Sequence, residues 1–217
     1  TARQVRAGGL DSLFDQPTVP EADAARQAAV RAAPMPVRVA WTDRATHLTE
    51  RQYAFQQNYL AGIRAGYVNM LKDGSDGTVR NAFPGRDEAD GWRPSFAGQI
   101  AQAIGWTPPA VAFRITYRLG PDLATPPFRT FPIEALAALP AAWFRDKVVI
   151  VGADLPFDDR HRTPFASVWG NDAGTIPGTQ IQAHILAQLL DERAPKGSYP
   201  WVEWATILVL AALALTI

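Results

Sequence analysis

Acidic side chains follow three predicted strands of this chain, at the point where each strand ends. They are Asp11, Asp15, Asp43, Asp154, Asp158 and Asp159. Ligands of open α/β sheets bind beyond the carboxyl ends of the strands, so three parallel strands would bring these carboxylates to one rim, beside Arg160, His161 and Arg162. The rim predicts a polar pocket whose candidate ligand-binding residues are Asp11, Asp15, Asp154, Asp159, Arg162 and Thr163. The alternative interpretation is that these Asp residues only form turns and helix caps.

Patterns for catalysis and for metal binding are weak. The three histidines, His47, His161 and His184, are far apart and none pairs at i,i+4. The sequence has no cysteine, no G-x-S-x-G motif and no phosphate-binding Walker loop. We therefore predict no catalytic residue, no metal and no cofactor. For His184 we expect a packing role in a helix, with a bond to a backbone carbonyl, rather than a ligand role.

The composition indicates one folded domain. The chain has 217 residues, 21 Lys+Arg against 21 Asp+Glu, 47% hydrophobic residues and 19% charged residues. That balance excludes a disordered chain. A net charge of zero argues against nucleic-acid binding that depends on phosphate neutralisation.

Alternating strand and helix patterns predict the elements that position the rim. Thr18 and Glu21 form a predicted capping box that opens a helix to about Ala33. The run 147–152 has the unbroken apolar character of a strand buried on both faces of a parallel sheet, and a helix is predicted over 179–190. Residues 67–71 and 78–83 predict a β-hairpin around the Asp/Gly-rich turn at 72–77. The long segment 153–178 predicts a functional or lid-like loop.

These elements predict an α/β fold. We expect a layered, mostly parallel sheet with helices on both faces and one antiparallel hairpin, followed by the start of a transmembrane helix. The first strand is expected to begin before Thr1.

The end of the chain is uncharged. Residues 205–217 carry no charge, and aromatic residues precede them at 199, 201 and 204, where an aromatic belt would meet lipid headgroups. We predict one folded domain over 1–200 and the beginning of a membrane helix over 201–217. An amphipathic helix packed on the core is the alternative.

Three sequence blocks resemble the type-2 CHASE domain. The first is Gly9-Leu10-Asp11-Ser12-Leu13-Phe14-Asp15-Gln16-Pro17 with Glu21-Ala22-Asp23. The second is the hairpin that contains Asp76, Gly77 and Arg80, with Pro94-Ser95-Phe96-Ala97 downstream. The third runs from Phe144 to Gly152 and continues through Asp159, Thr163, Pro164, Pro177, Gly178 and His184. In this resemblance Asp76, Gly77, Arg80, Pro164, Gly178 and His184 are structural motif residues.

The resemblance implies an extracytoplasmic ligand-sensing domain of a bacterial transmembrane receptor, periplasmic or extracellular, in a protein of the inner membrane. It implies a non-enzymatic module upstream of a cytoplasmic adenylate/guanylate cyclase or histidine kinase, with the family's first membrane helix and opening strand–helix unit missing from this chain. Its partners would be an unknown small-molecule or protein ligand, the membrane, no nucleic acid, and a second copy in a homodimer. The alternatives are a membrane-anchored α/β hydrolase or transferase that uses the acidic rim, and a partner-binding domain without a small ligand.

Overall fold

The computed structural model describes residues 5–43, 48–88, 91–122, 125–156, 158–166, 174–191, 204–209 and 211. Its elements in chain order are β1 (Ala7–Asp11), α1 (Pro20–Arg31), β2 (Val37–Trp41), α2 (Glu50–Tyr59), β3 (Ala65–Tyr67), β4 (Leu71–Lys72), β5 (Val79–Ala82), β6 (Gly85–Glu88), β7 (Gly91–Pro94), α3 (Phe96–Ala103), β8 (Phe113–Arg114), two 3-10 helices (Ile133–Ala138 and Ala141–Phe144), β9 (Val148–Gly152), β10 (Arg160–Arg162), β11 (Thr175–Pro177) and α4 (Gly178–Leu190).

A four-stranded parallel sheet organises the fold. Its strand order is β3-β2-β1-β9, and each neighbouring pair is parallel. Strands β1, β2 and β3 progress in one direction across the sheet, whereas β9 lies on the other side of β1. The order therefore reverses between β1 and β9.

Helices cover both faces of this sheet, as predicted. Gly9 of β1 faces α3, because a Cβ at this position would lie 2.7 Å from Ile100 Cδ1 and 2.8 Å from Phe96 Cζ. The next residue, Leu10, packs into a cluster on the opposite face, as the alternation of side chains along a strand requires. The missing side chain at Gly9 lets α3 approach the sheet closely.

Each face has its own hydrophobic core. The first core joins α3 and α4 to the sheet and contains Phe96, Ile100, Ile181 and Ile185. The second core lies under α1 and α2 and includes Val39, Trp41, Tyr59, Leu60 and Tyr67, with Val30 and Tyr53 packed against it.

Several predicted elements differ from the structure. Strand β9 is an edge strand that is half-buried to exposed, so the prediction of burial on both faces is wrong. Strand β1 begins at Ala7. The β4–β5 hairpin is confirmed, but Tyr67 belongs to β3 instead. Two further antiparallel ribbons, β6–β7 and β10–β11, were not predicted. The second of these ribbons occupies part of the predicted loop 153–178.

The capping box was predicted at the wrong helix. The N-cap of α1 is Val19, and Pro20 follows it. Thr18 lies one residue earlier, where its N–H and its hydroxyl donate to the Asp23 carboxylate at 2.9 and 2.7 Å. A full capping box instead begins α2: Thr49 Oγ1 accepts from the N–H of Gln52, whose Oε1 accepts from the N–H of Thr49.

The predicted membrane segment lies mostly outside the described residues. Residues 204–209 are helical and exposed. Within the part of the chain that the structure describes, no helix has the length and apolar character needed to cross a membrane.

Candidate functional site

The candidate site lies where the strand order reverses. Asp11 at the end of β1 pairs with Gly152 at the end of β9. The chain leaves β1 towards α1 on the face of the second core and leaves β9 towards α4 on the face of the first core. Ligands of open α/β sheets bind in the crevice that such a divergence leaves beyond the carboxyl ends of the strands.

The Asp11 carboxyl is the central group of this site. Its Oδ2 atom is buried, as is Oγ1 of Thr179 in the first turn of α4, and the Thr179 hydroxyl acts on the Asp11 carboxyl as a hydrogen-bond donor. Burial raises the pKa of Asp11 from 3.8 to about 6; the nearby Thr179 hydroxyl opposes this rise, and the Asp159 charge adds to it. The pKa of Asp11 therefore lies about two units above its ordinary value.

Asp159 lies over the start of α4. Its backbone has a φ of 50°, and its carbonyl accepts from Gly178 N at 2.9 Å. A Cβ on Gly178 would lie 2.7 and 2.8 Å from the Asp159 carboxylate oxygens. Glycine at 178 thus lets a carboxylate approach the helix N-terminus, where the helix dipole stabilises negative charge.

His161 completes the cluster. Its Nε2 lies 3.0 Å from Asp159 Oδ1, and its Nδ1 is buried without a partner among the described residues. The His161 charge also acts on Asp11, whose pKa it lowers. The cluster of Asp11, Asp159, His161 and Thr179 is called the switch-point cluster below.

An ion pair ties the loop after β9 to the neighbouring ribbon. Arg160 Nη1 lies 2.9 Å from Asp154 Oδ1, and Arg160 Nη2 donates to Thr175 O at 2.8 Å. Asp154 is therefore placed beside the switch-point cluster as a structural partner of β10.

Three other rim residues are placed differently from the prediction. Asp15 accepts from Gln52 Nε2 at 2.7 Å, which attaches it to α2. Thr163 is buried, and its hydroxyl donates to Gly174 O at 2.8 Å. Asp43 is paired with Arg86. The predicted single rim is thus divided: the Asp11 carboxyl interacts with Asp159 and His161, whereas Asp154 is paired with Arg160 of β10.

The remaining rim residues add little to the site. Arg162 pairs with Thr175 in the β10–β11 ribbon, and Asp158 is exposed. Among the described residues no group of three or more His, Asp or Glu side chains is arranged to hold a metal ion.

Thr179 is the site residue that the sequence analysis missed. The signal that could have identified it is its position as the second residue of the helix that begins after Pro177, since side chains in a first helical turn face the ends of the strands in this class of fold.

Comparison with known families agrees with this architecture. A family model described as the CHASE2 domain matches residues 1–216. The chain belongs to the CHASE2 domain family. No curated protein and no solved structure matches it. CHASE2 domains are extracellular sensory domains of signalling receptors, and the expected resemblance is confirmed.

The hairpin motif of this CHASE2 domain contains a small network of ion pairs among Asp73, Asp76 and Arg80, called the hairpin clasp below. Arg80 donates to Asp73 Oδ2 at 2.9 Å and to both Asp76 oxygens at 2.8 and 2.7 Å. The Arg80 hydrogen bonds hold the pKa of Asp76 well below its usual range. Gly77 closes the turn with a φ of 70°. These contacts are local to the hairpin.

His184 packs inside the CHASE2 domain. Its Nδ1 accepts from the backbone N–H of Arg118 at 3.1 Å, and its ring contacts Tyr117 and Phe128 at centroid distances of 5.0 and 4.8 Å. Burial lowers the pKa of His184 to about 4, with a smaller contribution from the Arg118 charge. The expected packing role fits these contacts, but the hydrogen bond differs from the expected one, because Nδ1 accepts from the backbone N–H of Arg118 and does not donate to a carbonyl.

The other two motif residues lie next to the β10–β11 ribbon. Pro164 occupies the turn that follows β10. Gly178 provides the close approach of Asp159 to α4 described above.

Proposed function

We propose that this CHASE2 domain is the extracytoplasmic ligand-sensing domain of a bacterial transmembrane receptor that controls a cytoplasmic adenylate/guanylate cyclase or histidine kinase. The observation that supports a ligand site is the switch-point cluster, in which the Asp11 carboxyl is buried and His161 has a buried ring nitrogen, Nδ1, without a partner among the described residues.

The chemistry of the cluster favours a small polar ligand with hydrogen-bond donors. An unpaired buried polar atom costs about 1–3 kcal/mol, and a ligand that pairs it recovers that free energy. Asp11 and Asp159 offer carboxylate acceptors, so an ammonium or hydroxyl group is the complementary ligand chemistry.

Helix α4 is the element that would carry the signal away from the ligand. Gly178 and Thr179 in its first turn contact the site, and its 13 residues extend about 20 Å. At the other end Arg118 Nη2 donates to Ala187 O at 3.3 Å and pairs with Asp191. A ligand shifts such a sensor between two conformations only by as much as its affinity differs between them.

The connection to the membrane follows α4 directly. The uncharged run 205–217 would anchor the domain in the inner membrane as a homodimer, with residues 192–200 as the link. Replacing 194–200 by a Gly/Ser linker should weaken signalling in the full-length receptor and leave ligand binding unchanged. Signalling at the wild-type level would contradict this route.

Thermal unfolding of the whole 217-residue chain in lipid nanodiscs tests the ligand site. A panel of amino acids, polyamines and sugars is added to wild type, to Asp11→Asn and to the matched control Asp158→Asn, which alters an exposed carboxylate nearby. We expect at least one compound to raise the Tm of wild type and of Asp158→Asn by about 5 °C at saturation, and to have little effect on Asp11→Asn. An equal shift in all three proteins, or no shift with any compound, would reject the site.

An anchored hydrolase or transferase is the second candidate function, because a carboxyl group with a pKa of about 6 suits general acid–base catalysis. It predicts turnover of generic ester and phosphate-ester substrates by the same preparation. Turnover that is lost in Asp11→Asn and kept in Asp158→Asn would replace the sensor proposal.

A further inference from the structure

The end of the main sheet at which its strands begin carries a row of basic residues. Each of the four parallel strands has one at its start: Arg64 at β3, Arg38 at β2, Arg6 at β1 and Lys147 at β9. Arg38 is the second residue of its strand, and each of the other three lies one residue before its strand. This row, called the basic edge below, lies at the opposite end of the strands from the switch-point cluster.

Strand pairing brings the charges of the basic edge together. The N–H of Arg6 donates to Lys147 O at 2.9 Å, and the register of β2 and β3 places Arg38 level with Arg64. Burial lowers the pKa of Arg38, and the Arg64 charge lowers it further. Like charges that lie opposite each other on adjacent strands are destabilising, so an anionic partner at this edge would relieve a repulsion that is built into the sheet.

Acidic residues do not neutralise the basic edge within the part of the chain that the structure describes. None of the four basic side chains forms an ion pair there, and all but the half-buried Arg38 are exposed. Asp146 precedes Lys147 in the sequence, but Arg145 stands on its other side. The segment 192–203 has two acidic and two basic residues, so it adds no net charge. The edge therefore keeps its positive charge.

Helix α4 leads the chain towards this same edge. It begins beside Gly152 at the C-terminal end of β9 and packs into the first core from Ile181 to Leu189, so it runs opposite to the strands. Its C-terminal end therefore points to the side of the domain on which the strands begin. The uncharged run 205–217 follows α4 in the sequence, so a membrane anchored by this run would lie on the side of the basic edge.

We propose that the basic edge docks on the headgroups of anionic phospholipids. This inference rests on the membrane anchor proposed above, because the anchor brings the edge to the bilayer. Phosphate oxygens accept charge-assisted hydrogen bonds from guanidinium and ammonium groups, and each basic residue near an anionic membrane surface strengthens binding about fivefold. Docking in this orientation leaves the switch-point cluster on the side of the domain away from the bilayer, where a ligand can reach it.

Co-flotation of the whole 217-residue chain with lipid vesicles tests the basic edge separately from the anchor. Vesicles of neutral phosphatidylcholine measure the apolar run alone, and vesicles with about 30% phosphatidylglycerol add anionic headgroups. Arg64→Gln and Lys147→Gln each remove one exposed charge of the edge. Arg51→Gln is the matched control, because Arg51 is an exposed arginine in the first turn of α2. It lies about 12 Å along that helix from the turn into β3, beyond the Debye length of about 8 Å. Thermal unfolding confirms that the three variants are folded.

We expect wild type to bind the anionic vesicles more than about tenfold more tightly than the neutral ones, and about 0.5 M NaCl to remove most of this difference. Arg64→Gln and Lys147→Gln should each weaken binding to the anionic vesicles about fivefold and leave binding to the neutral ones unchanged, whereas Arg51→Gln should match wild type.

Equal binding of wild type to the two kinds of vesicle, or an equal loss in all three variants, would overturn the proposal. Binding to anionic vesicles alone, with the expected losses in Arg64→Gln and Lys147→Gln, would support the basic edge and reject the anchor. Binding to neither kind of vesicle would reject both.

Discussion

Gly152 at the end of β9 and Thr179 in the first turn of α4 are in such close contact that a Cβ on residue 152 would lie 2.1 Å from Thr179 Oγ1. The same Cβ would lie 3.1 Å from the Cβ of Asp11. The absence of a side chain at 152 therefore allows β9, α4 and the Asp11 carboxyl to meet at one point.

Gly152→Ala should lower the free energy of unfolding by about 1–3 kcal/mol, because an added methyl group at a packed position forces its neighbours apart. Thr179→Ala removes the oxygen that this methyl would meet, so the double variant should be less destabilised than the sum of the two single variants. Urea unfolding of all four proteins measures this coupling. Strict additivity would show that the contact does not limit the packing of β9 against α4.

Local sequence patterns predicted which segments form strands better than they predicted which strands pair with one another. The apolar run 148–151 predicted β9 correctly as a strand, yet the strand lies at the edge of the sheet. The run is the same whether one side of a strand is paired or both, because pairing depends on how distant segments are arranged. No local sequence pattern indicates that arrangement.

The site, too, was predicted only in part, because part of it depends on contacts between distant segments of the chain. Asp11 and Asp159 meet because β1 and β9 are parallel neighbours, which the expected parallel sheet implied. Asp15 follows the same strand as Asp11, but after four more residues the chain has turned towards Gln52 of α2. The contact between Gly152 and Thr179 depends on how closely a helix approaches a strand, which no spacing in the sequence expresses.

Asp11→Asn should stabilise the domain above pH 6 and have little effect near pH 4. The pKa of Asp11 is raised from 3.8 to about 6 in the fold, so the folded state binds the proton more tightly than the unfolded state does. The stability that Asp11 contributes is present below pH 3.8 and is lost as pH rises through 6. A shift of this size corresponds to about 3 kcal/mol.

Urea unfolding of wild type and Asp11→Asn at several pH values between 4 and 8 measures this difference. Asp158→Asn, at an exposed position, serves as the control and should follow wild type at every pH. A difference between Asp11→Asn and wild type that does not change with pH would mean that the carboxyl titrates normally.

His184 should produce the opposite pH dependence. Its pKa falls from 6.5 to about 4 on folding, so its contribution to stability is full above pH 6.5 and is lost as pH falls towards 4. The corresponding loss is about 3 kcal/mol. As the pH falls from 6 to 4, this loss of stability opposes the gain from Asp11. Each effect is therefore measured by comparing wild type with a variant at that residue.

His184→Asn distinguishes the effect of protonating His184 on stability from the effect of its ring contacts. The Asn side chain keeps an acceptor for the Arg118 N–H but loses the ring contacts, so the variant should be less stable at pH 7 and lose less stability on acidification than wild type. Phe128→Leu removes a ring contact and keeps His184, so it should retain the full acid loss. Equal slopes for the two variants would assign the acid sensitivity to another group.

Gly77→Ala should destabilise the hairpin clasp, whereas Gly74→Ala in the same turn should not. Gly77 has a φ of 70°, a conformation that costs a residue with a Cβ about 1–2 kcal/mol. Gly74 has no such φ, and neither glycine has a neighbouring atom within 4 Å of an added Cβ, so steric contact is equal at the two positions. Urea unfolding should show a loss of about 1 kcal/mol or more for Gly77→Ala and no loss, or a small gain, for Gly74→Ala. Equal stabilities would mean that the turn relaxes to a conformation that alanine adopts without strain. The Arg80 contacts with Asp73 and Asp76 would then be formed with a different backbone conformation at residue 77.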